Sequence, residues 1–320
     1  MAPLYHHTQA SKMTMSTVAP ALPLIAPHRF AYGFHRQTWW NWRIGAAFFL
    51  GEIGAGLFLI SLATGHLAAL VLGYLIVIAG KNTAHLLYLG KPARFWRAAM
   101  RPDRSWIARG IWATGLFAIA GAVVIAARGH WIAIPRWSAS LAEFIGICAA
   151  LFIMFYDGLV MKASAGIRFW KSFLLPLLCL TYALLGGTTL ALTVGEFRHV
   201  PVPASLASLE HVLLMLNCLL LITYVVRMSQ SEPAAREAVH LLTDGAYRRT
   251  FLGLVILVGI VATFFFSILH LQFHTEWLVL LIAFCELIGD FALVMVLLKT
   301  GLCSPQAAPK YLAVPRPPPR

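Results

Sequence analysis

Five residues stand out for their chemistry. Glu52, Lys81, His85, Tyr156 and Asp157 each interrupt a run of apolar residues. Lys81 and His85 are four apart, so a helix places them on one face. Tyr156 and Asp157 are adjacent, and Glu52 lies within GEIGAG. A Tyr or His beside an Asp or Glu combines a hydrogen-bond donor with a proton acceptor. That combination serves proton-coupled chemistry. A quinone, for example, needs a flat apolar slot, a donor to each carbonyl, and a protonatable group connected to water. No nucleophile motif, phosphate loop or metal cluster in the sequence competes with this reading.

The elements that position these groups follow from composition. The chain has 320 residues, of which 60% are hydrophobic and 12% charged. Soluble domains carry about 25% charged residues, so the solvent for much of this chain is lipid. Eight apolar stretches reach the roughly 20 residues that span a bilayer: 42–64, 66–88, 106–127, 138–161, 172–195, 206–228, 250–270 and 276–299. They are continuous rather than alternating, which predicts helices and not a barrel. Eight helices divide naturally into two four-helix bundles. Residues 1–41 form an N-terminal arm. Its APALPLIAP segment is too short and Pro-broken for a signal peptide. Residues 300–320 form a Pro-rich tail. The five cysteines are isolated, with no C-x-x-C, and read as small hydrophobes.

The net charge of +13 is then a topology signal. Counted with the flanking Arg43, Arg109, Arg227 and Lys299, the N-terminal arm, three alternate loops and the tail hold 21 of the 25 Lys/Arg, against Arg128, Arg136 and Arg198 on the other side. The positive-inside rule predicts cytoplasmic termini. The basic stretch GKPARFWRAAMRPDRSW (90–106) is therefore a cytoplasmic loop, not a nucleic-acid patch. Arg94, Arg97, Arg101 and Arg104 are spaced 3, 4 and 3 and are expected on one face of a short helix. That face either anchors at membrane lipid headgroups or docks a protein partner. Trp39, Trp40 and Trp42 read as an aromatic belt.

Depth sorts the polar residues. Lys81, Asn82, His85, Tyr156, Asp157 and Arg109 project to the cytoplasmic half, Glu52 to the midplane, and His66 and Glu143 to the outer surface. Asp157 is the natural counter-charge of Lys81 or Arg109. A buried ionisable group costs about 2.5–3.5 kcal/mol on insertion scales, so each is a functional candidate, the alternative being pairs that fix helix register. Helices 6 and 8 add Glu210, His211, Glu286 and Asp290. Gly51, Gly54 and Gly56, with Gly186 and Gly187, permit close helix approach or room for a flat ligand.

Three stretches resemble the NrfD/PsrC membrane subunits of polysulfide-reductase-type complexes: WNWRIGAAFFLGEIGAGL (40–57), LGKPARFWRAAMRPDRSWIARG (89–110), and FYDGLVMKASAGIRFWKSFLLPLLCLTYALLGGTTLAL (155–192). The resemblance implies an all-α multi-pass subunit of the bacterial cytoplasmic (inner) membrane. It implies an exchangeable menaquinone or ubiquinone, with no haem and no iron–sulfur cluster in this chain. The implied partners are a ferredoxin-like [4Fe–4S] subunit and a molybdopterin catalytic subunit. The family's Tyr falls on Tyr156, and Asp157 replaces its Thr. The quinone set is expected at Glu52, Lys81, His85, Tyr156 and Asp157, with His66 and Glu143 as an outer alternative. A dihaem b cytochrome, pairing for instance His66 with His211, is the runner-up. A secondary transporter would need inverted repeats, and none is visible.

Overall fold

The computed structural model describes residues 34–273 and 275–303. The stretch 19–27 and the PRPPPR tail lie outside these residues. Eight helices are long and apolar enough to cross a membrane: α1 (Trp42–Thr64), α2 (Leu67–Tyr88), α3 (Trp106–Arg128), α4 (Arg136–Ala163), α5 (Leu174–Phe197), α6 (Ala204–Ser229), α8 (Arg249–Phe273) and α9 (Glu276–Lys299). A short ninth helix, α7 (Pro233–Thr243), precedes α8. The expected limits hold to within three residues at every end, because a helix that crosses lipid must satisfy its backbone internally over its whole apolar length.

Polar side chains set the helix starts. The Asn41 side chain accepts from Arg43 N at 3.0 Å, and Ser105 Oγ accepts from Ala108 N at 3.2 Å. Gly65, at φ +75°, closes α1 in the left-handed conformation that a residue with a Cβ resists. His66 follows and caps α2, its Nδ1 accepting from Ala69 N at 3.2 Å.

Both ends of the described chain meet on one side, called here the termini side. His35–Arg36 (β1) pairs antiparallel with Leu302–Cys303 (β2), with His35 opposite Cys303. The buried Gln37 donates to Leu298 O at 2.8 Å. Trp170, in the α4–α5 connection, donates from Nε1 to Leu297 O at 2.8 Å. Trp40 stacks on Trp170 with ring centroids 4.9 Å apart. Trp40 therefore belongs to this packed platform rather than to an interfacial belt, whereas Trp39 and Trp42 are exposed. The apolar face of α7 (Ala234, Ala235, Ala238, Val239, Leu242) is buried in the same platform.

The helices α1 and α5 are the hub. Helix α1 packs on α2, α4, α5 and α9, and α5 packs on α1, α4, α6 and α9. Gly56 and Gly187 face each other where α1 and α5 cross, and a Cβ on either would overlap backbone of the other helix.

Two spans contain π-helical turns, Ile76–Lys81 in α2 and Arg249–Ala262 in α8. Such turns insert extra residues and re-phase the rest of the helix, often at functional sites. The α2–α3 connection forms a 3-10 helix, Pro92–Met100, not an α-helical turn. Residues three apart eclipse in a 3-10 helix. Arg94 and Arg97 therefore share a face, but Arg101 and Arg104 lie beyond the helix end, and the single four-arginine face is not formed. Among the cysteines, Cys179 and Cys285 are buried as expected, but Cys148 is exposed on α4.

Candidate functional site

A cavity of about 430 Å³ opens between α2, α3 and α4 on the termini side. Lys81, Asn82, His85, Thr114 and Tyr156 contribute its polar groups, and Ile78, Leu86, Ile107 and Ile111 line its apolar walls. Phe95 and Ala98 of the 3-10 helix close it from above. That helix is held to α3 by Trp112 Nε1, which donates to Ala99 O at 3.0 Å. Leu86, Leu89 and Ile107 on its rim are exposed on the outside of the bundle. The size falls in the range of small-molecule sites, about 300–1,000 Å³, and so does the mix of apolar wall and few polar groups.

Glycines shape the polar wall. A Cβ at Gly51 of α1 would lie 2.7 Å from Lys81 Nζ, so the missing side chain is the space Lys81 occupies. The π turn ends at Lys81 and turns it toward α1. Lys81 Nζ sits 5.2 Å from the centre of the Tyr156 ring, a cation–π contact. The Tyr156 ring packs against Gly110 of α3, where any Cβ would overlap it. His85 directs Nδ1 at Lys81 O, 3.1 Å away on its own helix.

Behind this wall lie Asp157 and Glu52, both buried. Glu52 is surrounded by Asp157, the Cys179 thiol, Asp290 and Lys81, all close enough to act on its carboxyl electrostatically. Lys81 acts on Asp157 in the same way. Yet Lys81 Nζ, Glu52 Oε1 and both Asp157 oxygens meet no hydrogen-bond partner among the described residues. Buried polar atoms are nearly always satisfied, so a set of such orphans beside a cavity is a set of groups available to a ligand or a proton.

The structure thus gathers the five residues singled out by type and spacing, three on the cavity wall and two immediately behind it. It does not gather the others. Glu143 pairs with Arg128 at 2.9 Å, and His66 caps its own helix. Arg109 turns away to Pro102 O at 2.8 Å and Asp103 O at 2.9 Å, so it is not a partner of Asp157. His211 directs Nδ1 at Ala207 O, 2.6 Å away, and Nε2 faces Ser267 Oγ at 3.2 Å. Phe95, Gly110 and Thr114 were not anticipated in the cavity. An aromatic in an exposed basic loop carries no signal that it covers a pocket, and Gly110 is legible only once Tyr156 is seen against it.

Compared with family models, residues 32–306 match the one described as polysulphide reductase, NrfD. No curated protein matches the chain.

Proposed function

The chain belongs to the NrfD family of polysulphide-reductase-type membrane subunits, and from that premise we propose that it is the quinone-reactive anchor of a multisubunit oxidoreductase. The observation that carries this reading is the apolar cavity with Lys81, His85 and Tyr156 on its wall and the buried carboxyls of Asp157 and Glu52 behind. When bound, a menaquinone or ubiquinone supplies two-electron, two-proton redox chemistry. The chain's own residues do the rest. The exposed apolar rim at Leu86, Leu89 and Ile107 admits an apolar molecule from the bilayer. Lys81 and the Tyr156 hydroxyl offer hydrogen bonds and orient the head group. Asp157 and Glu52 hold or release the protons that follow the electrons. A tritiated azidoquinone is expected to label α2 and α3 within 78–118. Labelling confined to the opposite end, near His66 and Glu143, would refute this placement.

The electrons come from an iron–sulfur partner, itself attached to a molybdopterin subunit. We place that partner over the 3-10 helix on the cytoplasmic side. Among the described residues, the termini side carries most of the Lys/Arg. Arg94, Arg97, Arg101 and Arg104 are all exposed there, with Phe95, Trp96 and Met100 among them. Phe95 also lines the cavity, so a partner seated on this helix sits over the cavity roof. Charge reversal by Arg94→Glu with Arg97→Glu is expected to move most of the iron–sulfur subunit from the membrane to the cytoplasmic fraction. Unchanged membrane attachment would leave the arginines to lipid headgroups, and release on the outer side would overturn both the docking and the orientation.

A further inference from the structure

Three glycines shape the cavity between α2, α3 and α4, and one of them stands apart. Gly51 and Gly110 leave spaces that Lys81 and Tyr156 fill. Gly115 of α3 also lines the cavity, but a Cβ there would meet nothing within 4 Å. A glycine inside a helix is less stable than an alanine, and here no neighbouring helix needs the room. Gly115 is exposed on the outside of the bundle as well. It therefore stands where the cavity meets lipid. Gly253 of α8 has the same empty surroundings but does not line this cavity.

The opening lies between two helices. Helices α2 and α3 touch along Leu67–Leu75 and part beyond it. The Tyr74 hydroxyl donates to Ala118 O at 3.0 Å and ties the two helices where they part. Above this tie the gap widens into the cavity. Its end near the termini side is edged by the exposed side chains of Leu86, Leu89 and Ile107. At its deep end stand Ile78, Ile111 and Ala118, with Gly115 between them and the lipid. The two ends differ in polarity. Lys81, His85 and Tyr156 lie toward the termini side. Deeper in, the Thr114 hydroxyl spends its hydrogen on Gly110 O, 2.9 Å away on its own helix, so the wall there is apolar. Gly115 is nine residues into α3 from Trp106. At 1.5 Å per residue that is a depth of about 13 Å, close to the middle of a hydrocarbon layer about 30 Å thick. A ligand with a polar head and an apolar chain has one way to lie here. Its head meets Lys81, His85 and Tyr156, and its chain runs down the apolar wall and out beside Gly115.

We propose that Gly115 is a specificity-determining residue: it holds open the window through which the apolar chain of the bound quinone leaves the protein, so that the site selects quinones that carry such a chain. This rests on the quinone reading of the cavity. The head group enters past Leu86, Leu89 and Ile107, and the chain trails into the bilayer at Gly115. A side chain on a helix leans toward the helix N-terminus. A leucine at 115 would therefore lie over the turn at Ile111, across the window. Its Cβ meets no protein atom, so the helix packing tolerates it.

The test compares two quinones on the assembled complex in vesicles: a dimethylnaphthoquinone without a chain, and the same head group with an isoprenoid chain. Gly115→Leu is expected to raise the KM of the chain-bearing quinone about tenfold, the lower end of what one methylene decides in an apolar pocket. The KM of the chainless quinone should stay within about twofold, since both heads meet the same polar wall. Leu116→Phe, the neighbour exposed to lipid, should change neither. Equal KM increases for both quinones would place the leucine in the head-group space and overturn the window. Unchanged KM for both would overturn it too. If Gly115→Leu fails to assemble, the wild type decides, with a diazirine on the first isoprene unit of the chain. Labelling of residues 75–79 or 111–119 is expected, and labelling confined to any other residues overturns the window. A wild-type complex that turns over neither quinone would instead overturn the quinone reading itself.

Discussion

Asp157→Asn is expected to lower quinone turnover about a hundredfold while the complex remains assembled. Positioned proton transfer contributes about 10²–10⁴ to a rate, and Asp157 is the buried acid adjacent in sequence to the cavity tyrosine. Asn fills the same volume, so packing between α4 and α1 survives. Tyr156→Phe separates binding from proton delivery. Tyr156 lines the cavity whereas Asp157 does not. Loss of the hydroxyl should therefore raise the quinone KM, whereas Asp157→Asn should act on kcat. The ring remains over Gly110 and beneath Lys81, so the Phe variant keeps the wall. Steady-state kinetics over a range of quinone concentrations checks both. Normal kinetics in both variants would remove this cavity as the site.

Gly56→Ala and Gly187→Ala are expected to abolish folded protein in the membrane. Small residues at a helix crossing let the backbones touch. Here a Cβ at Gly56 would overlap the Ala183 carbonyl, and one at Gly187 would overlap the Gly56 carbonyl carbon. Overpacking a core costs about 1–3 kcal/mol when side chains can give way. Backbone has no rotamer to change, so the cost falls at or above the top of that range. The helices concerned are the hub, and α1 carries Glu52 and the Gly51 space for Lys81. Gly90→Ala is the control, since its Cβ would meet nothing within 4 Å. The yield of membrane-inserted protein and its melting temperature in detergent check this. A melting temperature equal to the wild type for Gly56→Ala would mean the crossing is looser than described.

The spans could be read from the sequence because crossing lipid is a local demand. Each needs its own uninterrupted apolar run, and neighbours do not alter that. The ionisable candidates could be read for the same reason, since each stands out against an apolar background at a cost in lipid. Which of them meet was a different matter. In a soluble helix, polar and apolar faces mark what points inward. In these spans the lipid face and the buried face are both apolar, so the rotation of each helix leaves no trace in composition. His66 and Glu143 were equal in kind to His85 and Asp157 until the fold gave one to a helix cap and the other to Arg128. Rotation also changes at a π turn, and the turn ending at Lys81 decides that this amine faces Gly51. The Thr189 hydroxyl bonds the carboxyls of Glu210 and Glu286, 21 and 97 positions away, and a threonine carries no charge to mark it. The sequence alone determined how many helices cross and which residues are costly there. Only tertiary packing decided which of those residues share a cavity, because in lipid both faces of a helix look alike until a neighbour covers one.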